Sequence, residues 1–165
     1  MIGKTLIHNI IYVYLLSLAP SFEGRYALVV GVALGMNPFL SFLIACLGVA
    51  TLSIVLPTLL PFIDSIMYRF LESNRGFLSR IARFYLKYVE KTRKKAYRYV
   101  EKYGFIGLVV FVAIPLPATG VWTGALASYI FGMRRRRVVY GLLVGGIISN
   151  LVTFIITYVL KQSFF

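Results

Sequence analysis

Two long stretches without a charged residue constrain this chain more than any other feature. Residues 38–62 and 138–160 are mostly apolar and contain no Asp, Glu, Lys or Arg. Each is long enough to cross a bilayer core of about 30 Å as a helix that rises about 1.5 Å per residue. The composition, 59% hydrophobic and 14% charged, also differs from that of soluble domains, at roughly 45–50% and 25%. The sequence therefore predicts an all-α integral membrane protein with two complete spans.

Two further apolar stretches are interrupted by proline. The short limbs on either side of each interruption are 5–19 and 26–35 around Pro20, and 105–114 and 121–132 around Pro115 and Pro117. Proline removes a backbone donor and disfavours helix in the residue before it. Both breaks are therefore predicted to be non-helical peptide at membrane depth.

Basic residues are concentrated in two places. Residues 69–102 hold 11 basic and 3 acidic residues, and residues 134–137 are all arginine. If 105–132 crossed the membrane once, one cluster would lie outside, against the positive-inside rule. A re-entrant hairpin keeps both clusters in the cytoplasm, and it leaves the uncharged connection at Asn37 and both termini outside. This predicts a multi-pass protein of the cell membrane.

The two halves of the chain share one order of elements. A shift of 97 residues matches Pro20 with Pro117, and Gly35-Met36 with Gly132-Met133. Each half contains a limb, a proline break, a second limb, a Gly-Met pair and a long span. We therefore expect a single membrane domain, 1–165, built as an inverted repeat of 5–62 and 105–160, with the two broken tips meeting near the midplane.

The connector between the repeats, 65–104, is predicted to contain an amphipathic helix that ends at Gly104. At about 100° per residue its basic residues fall in one arc and its apolar residues lie opposite. The basic arc contains Arg80, Arg83, Lys87, Lys91, Lys94, Arg98 and Lys102, and the apolar face contains Leu78, Ala82, Tyr85, Val89, Ala96, Val100 and Tyr103. This favours an interfacial helix whose tyrosine-rich face meets the headgroups of anionic cytoplasmic lipid. A solvated surface helix is the alternative, and nucleic acid is not an expected partner because the helix is tethered between membrane elements.

Glu23 and Arg25 are the ionisable pair that this topology places inside the hydrocarbon zone. A charge there costs about 2.5–3.5 kcal/mol or more, and it is tolerated chiefly when paired or facing a polar cavity. As a functional site, Arg25 would attract an anion and Glu23 could take up a proton. A structural ion pair, or a tip shallow enough to be wet, is the alternative. The two side chains need not be bonded to each other, because residues two apart on a helix point apart.

The tip of the second hairpin carries polar and small residues. The candidates for substrate contact are Thr119, Trp122 and Thr123, and the glycines that would allow close backbone approach are Gly120 and Gly124. Half-helices that begin after Pro20 and Pro117 direct backbone N–H groups and partial positive charge at the same point, which favours an anionic group such as a phosphate.

Several chemistries have no support in the sequence. One cysteine, Cys46, excludes a disulfide framework, and one histidine, His8, excludes a Cys/His metal cluster. The sequence has no paired carboxylates, Gly-rich phosphate loop or nucleophile with a base. We therefore expect neither an enzyme nor a bound cofactor or metal.

Two segments resemble the motifs of a known family. Residues 20–27, PSFEGRYA, with Gly31 and Gly35 after them, resemble the acidic, arginine-bearing motif of the small multi-drug export proteins. Residues 103–108 and 115–125 are similar to that family's second motif. The family is in turn distantly similar to the DedA proteins, which have two re-entrant hairpins around a polar centre and include transporters of polyprenyl-phosphate lipids. The resemblance implies that Glu23 matches the acidic residue of the first hairpin and Arg25 the nearby arginine.

DedA proteins carry arginines around the second tip, whereas residues 111–122 contain none. Three hypotheses follow. The first is a transporter or lipid translocase that moves an anionic amphiphile such as a polyprenyl phosphate, with anionic membrane lipids as partners. The second is a proton-coupled exporter of hydrophobic cations or drugs that uses Glu23. The third is a membrane scaffold without transport activity. The chain could also form a homo-oligomer.

Overall fold

The computed structural model describes residues 2–20, 22–72, 76–116 and 119–164, and the regular elements within them are all helical. The helices are α1 (Ile2–Leu18), α2 (Glu23–Ala33), α3 (Pro38–Glu72), α4 (Gly76–Ala96), α5 (Lys102–Ala113), α6 (Val121–Ile130) and α7 (Arg135–Phe164). A π-helical segment, Tyr97–Glu101, joins α4 to α5. The prediction of an all-α protein is confirmed.

Two of the helices are long and apolar enough to cross a bilayer. They contain the segments Pro38–Leu71 and Arg135–Leu160, so both predicted spans are helices of sufficient length and hydropathy. The rings of Phe42 and Phe154 lie 5.4 Å apart, and Arg135 Nη2 donates to Thr58 Oγ1 at 2.7 Å. Because residue numbers rise along α3 as they fall along α7, the two helices run antiparallel.

Helix α3 is longer than the predicted span. It continues without interruption to Glu72, so residues 65–72, which the sequence analysis assigned to the connector, belong to α3. Asp64 lies within this helix, and its carboxylate accepts hydrogen bonds from Tyr85 at 3.2 Å and from Tyr129 at 2.9 Å. These bonds attach α4 and α6 to the distal part of α3.

The helices are broken at the predicted prolines. Between α1 and α2 the chain is non-helical around Pro20, and between α5 and α6 it is non-helical around Pro115. Pro117 lies outside the described residues. At each break the two limbs fold back on each other, since Val13 packs against Gly31 and Val112 packs against Gly124.

The turns that follow α2 and α6 have the same backbone geometry. Gly35 has φ of 81° and Gly132 has φ of 63°, in the left-handed region that glycine adopts at low cost. The backbone bonds of the first turn are Leu34 N to Val30 O, Gly35 N to Val32 O and Met36 N to Gly31 O, and those of the second are Phe131 N to Ala127 O, Gly132 N to Tyr129 O and Met133 N to Ser128 O. Each bond in one turn recurs in the other at a shift of 97 residues, as in Schellman helix ends.

Helix α4 packs against α3 and α6. The apolar face predicted to meet lipid headgroups is instead covered by protein, since Ala82, Ala96 and Val100 are buried. The side chain of Leu78 is outside the described part of the chain, and Tyr103 is exposed. The prediction of lipid contact was wrong because amphipathic spacing shows that one face is shielded from water but not whether lipid or protein shields it. Gly104, at φ 55° and ψ −122°, interrupts the helix where an end was predicted.

Candidate functional site

Glu23 and Arg25 lie where the two helix breaks meet. Each residue is 6% exposed, and Arg25 Nη2 lies 3.2 Å from Glu23 Oε2. Removing two charges from water is costly, and the cost is offset when the charges are paired and their remaining hydrogen bonds are made. The pair is therefore a buried ion pair at the centre of the site.

The backbone of Glu23 explains how two residues so close in the sequence can pair. Glu23 has φ of 53°, a conformation that non-glycine residues adopt rarely and at a cost of about 1–3 kcal/mol. The prediction that the two side chains point apart assumed helical geometry at both residues and is wrong. Strained residues of this kind cluster at functional sites.

The carboxylate of Glu23 binds the beginning of α6. Oε2 accepts the backbone N–H of Val121 at 3.1 Å, and Oε1 accepts the backbone N–H of Trp122 at 3.1 Å. These N–H groups belong to the first helical turn, where they have no partner within the helix. The positive end of the α6 dipole also stabilises an anion at this point.

The guanidinium of Arg25 binds the second break through three backbone carbonyls. Nη2 donates to Thr119 O at 2.8 Å, and Nη1 donates to Ile114 O and Leu116 O, both at 3.3 Å. The planar guanidinium can serve several acceptors at once. Arg25 thus holds the tip of the second hairpin in a defined shape.

The three polar candidates of the second tip bond within the protein. Thr119 Oγ1 donates to Ile114 O at 2.7 Å, and Thr123 Oγ1 accepts from Gly120 N at 2.8 Å. The indole of Trp122 donates to Leu18 O at 3.2 Å, on the first hairpin. Their side chains shape and join the tips, and the carbonyl of Thr119 and the backbone N–H of Trp122 contact the ion pair.

The two glycines of this tip allow close packing. A Cβ at position 120 would collide with the side chains of Glu23 and Arg25, and a Cβ at position 124 would meet Val112 and Leu142. Pro20 and Pro115 lie in the breaks and are exposed. Gly120 is the residue whose missing Cβ lets the two tips touch.

Helix α7 contributes two polar residues that sequence reasoning missed. Ser149 and Asn150 are buried, and they line a cavity of about 10 Å³ together with Glu23 and Arg25. Ser149 Oγ has no hydrogen-bond partner in the described part of the chain, and Asn150 Nδ2 lies 3.8 Å from Cys46 Sγ. The sequence signal for these two site residues was an adjacent Ser-Asn pair in a mostly apolar span.

Helix α4 lies within electrostatic range of the site. Burial raises the pKa of the Tyr88 hydroxyl, and the negative charge of Glu23 raises it further. The connector therefore does more than link the two halves, because it approaches the tips from a third direction.

The predicted basic residues of the connector do not join the ion pair. Those with described side chains are exposed, and they are Arg80, Arg83, Lys87, Lys91, Lys94 and Lys102. The side chain of Arg98 lies outside the described residues. Lys94 Nζ lies 2.8 Å from Glu90 Oε1, and this hydrogen bond lowers the pKa of Glu90 and raises that of Lys94. The basic residues form a surface separate from the site.

Within the residues that the structure describes, no three His, Cys, Asp or Glu side chains come together as a metal site would require. The donors at the tips are instead suited to an anion, since they are backbone N–H groups and a guanidinium.

Comparison with known families identifies the relationship of the chain. The model of a family described as "Putative small multi-drug export protein" matches residues 23–152. The chain belongs to this family. No curated protein and no solved structure matches the chain. The matched segment of this small multi-drug export protein begins at Glu23 and includes both tips and α4, and the distant similarity to DedA proteins stays a prediction. Family membership and the two apolar helices together identify a membrane protein.

Proposed function

We propose that this protein is a multi-pass transporter of the cell membrane that moves an anionic amphiphile, such as a polyprenyl phosphate lipid, through a midplane site between two re-entrant hairpins. Helices α1 and α2 form the first hairpin, and α5 and α6 form the second. The antiparallel course of α3 and α7 and the matching turns at Gly35 and Gly132 support an inverted repeat. Such repeats commonly hold substrate at their interface.

The contact of Arg135 with Thr58 suggests where the bilayer lies. From Pro38 to Thr58, helix α3 rises about 30 Å, which equals the thickness of the hydrocarbon core. With the cytoplasmic boundary near Thr58, the arginines at 134–137 lie on the cytoplasmic face, as the positive-inside rule favours. Asn37 and both termini then lie outside.

The observation that carries the proposal is the convergence of anion-binding donors on one point. Arg25 Nη2 and the backbone N–H of Val121 both donate to Glu23 Oε2, and the backbone N–H of Trp122 donates to Oε1. The Glu23 carboxylate occupies the position that a phosphate oxygen of a substrate would take. A tethered anion of the protein thus holds the site when no substrate is bound.

The site is closed between the tips. A cavity of about 10 Å³ beside the ion pair has room for about one water molecule and no more. An anionic substrate must therefore displace the Glu23 carboxylate and separate the tips. Protonation of Glu23 would favour this exchange, because a neutral carboxyl is a weaker partner for Arg25 than a carboxylate. Proton binding and substrate binding would then be coupled.

The second candidate is a proton-coupled exporter of hydrophobic cations. The description of the family favours it, and Glu23 would be the proton site. The pairing of Glu23 with Arg25 argues against it, because a cation approaching the tips meets no net negative charge. The expectation that the protein is not an enzyme is kept in both cases.

One pair of measurements distinguishes the two candidates. The purified protein is reconstituted in liposomes, and transport of a polyprenyl phosphate and of a hydrophobic cation is measured for the wild type and for Glu23→Gln. Removing the competing carboxylate should strengthen binding of the phosphate lipid and abolish any proton dependence of its transport.

Under the cation hypothesis, the same substitution removes the negative site and abolishes cation transport. Wild-type protein that moves the cation but not the phosphate lipid would overturn the first proposal. If the wild-type protein transports neither substrate, the hypothesis of a membrane scaffold without transport activity is favoured. Arg136→Gln is the matched control, since it removes an exposed arginine away from the tips.

A further inference from the structure

We infer that the part of α4 not covered by protein docks on an anionic lipid bilayer along a stripe of exposed apolar side chains. The inference relies on the membrane boundary proposed above but not on the transported substrate. It concerns a different face of α4 from the one that the sequence pattern assigned to lipid.

The buried face of α4 is already occupied. Ala82, Thr92 and Ala96 are buried, and the helix packs on α3 and α6. Only the remaining circumference can meet a partner.

An apolar stripe runs along that remaining surface. Its members are Phe77 at 75% exposure, Ile81 at 41%, Phe84 at 76% and Tyr88 at 40%. Their spacing of four, three and four residues puts them on one side of the helix, about 90° from the buried face at 100° per residue. Two phenylalanines exposed to this degree are unfavourable in water and suit the acyl boundary of a bilayer.

A row of exposed basic residues borders the stripe on the side away from the buried face. Its members next to the stripe are Arg80, Lys87 and Lys91, whereas Arg83 and Lys94 lie farther round the helix, toward Glu90. Long basic side chains beside an apolar surface extend their charged ends toward lipid phosphates. Glu90, the acidic residue of α4, lies on the far side of the helix from the stripe, about 150° away. The charge distribution is complementary to an anionic bilayer.

The position of α4 on α3 agrees with the depth of the headgroups. Tyr85 donates to Asp64, which lies about 9 Å along the helix beyond Thr58. With the hydrocarbon boundary near Thr58, the part of α4 around Tyr85 lies next to the headgroup layer, where an amphipathic helix inserts about 5–10 Å. A nucleic acid would use the basic row but not the apolar stripe, so we commit to lipid.

Single cysteines in the full-length protein test this orientation. In a Cys46→Ala background, Phe84→Cys and the matched control Glu90→Cys are labelled with an environment-sensitive fluorophore in nanodiscs. The discs contain phosphatidylcholine alone or mixed with phosphatidylglycerol. We expect blue-shifted emission at position 84, quenching by lipids that carry a spin label just below the headgroup, and neither effect at position 90.

The basic row is tested in the same discs. Replacing Arg80, Lys87 and Lys91 by Gln should remove the part of the blue shift at position 84 that depends on phosphatidylglycerol, while Arg134→Gln with Arg136→Gln should leave it unchanged. Water-like emission at position 84 in both lipids would overturn the inference, as would equal quenching at positions 84 and 90. Because transport is not measured, the proposed function can fail without affecting this result.

Discussion

Arg25 Nη2 donates to the backbone carbonyl of Thr119 at 2.8 Å, across 94 residues of sequence. The same nitrogen donates to Glu23 within the first hairpin. One guanidinium therefore joins the tip of the first hairpin to the tip of the second.

Replacing Arg25 should reduce stability in proportion to the acceptors left without a donor. Arg25→Gln leaves Glu23 as a buried unpaired charge, and the free energy of unfolding should fall by about 3–5 kcal/mol. Arg25→Lys keeps the charge but serves fewer carbonyls, so its loss should be smaller. Thermal unfolding in detergent measures both, with Arg136→Gln as an exposed control. Equal stability of Arg25→Gln and the control would contradict the prediction.

Gly120→Ala should separate the tips. The added Cβ collides with Glu23 and Arg25, so the carboxylate must leave the N–H groups of α6, at about 1–3 kcal/mol for an overpacked position. Gly76→Ala is the matched control because a Cβ there meets no atom within 4 Å. Thermal unfolding of the two variants measures the difference, and equal melting temperatures would show that the tips can adapt.

Gly35→Ala and Gly132→Ala should have similar effects, since both glycines have positive φ and open space around them. The strain of a left-handed alanine is about 1–2 kcal/mol, whereas Asn tolerates this conformation better. The free energy of unfolding, measured by denaturation, should therefore be highest with Gly, lower with Asn and lowest with Ala at both positions. A large loss at one turn and none at the other would contradict the structural match.

Asp64→Ala should loosen α4 and α6 together. The carboxylate accepts from Tyr85 and Tyr129, and hydrogen bonds to a charged group contribute about 1.5–3 kcal/mol each. In a double-mutant cycle, Tyr85→Phe should cost less in the Asp64→Ala background than in the wild type. Additive losses would mean that the contact contributes nothing.

The topology is tested by labelling with an impermeant thiol reagent in a Cys46→Ala background. Cysteines at Lys94 and Arg136 should react from the same side of the membrane, and a cysteine at Asn37 from the other. Reaction of the cysteines at positions 94 and 136 from opposite sides would show that residues 105–132 cross the membrane once.

Sequence patterns predicted the elements better than their partners. The prolines located both breaks, and the Gly-Met pairs located both turns, because these residues act on the local backbone. The pairing of Glu23 with Arg25 was given only as an alternative because spacing rules assume a helical φ, whereas Glu23 has a left-handed backbone and bonds residues 121 and 122.

The connector illustrates the same limit. The basic arc of α4 was identified correctly as exposed at every described position, yet the apolar face was assigned to lipid when it packs on α3 and α6. Ser149 lines the cavity beside the ion pair only because α7 packs next to the tips.

The bond from Arg25 to Thr119 joins two residues that the ribosome makes at different times. At about 5–20 residues per second, the ribosome needs roughly 5–20 s to produce the second tip after the first. During this interval Glu23 and Arg25 can pair with each other. Their other partners, the N–H groups of Val121 and Trp122 and the carbonyls of the second break, have not yet been synthesised. The ion pair can therefore complete its hydrogen bonds only after residues 119–122 have been made.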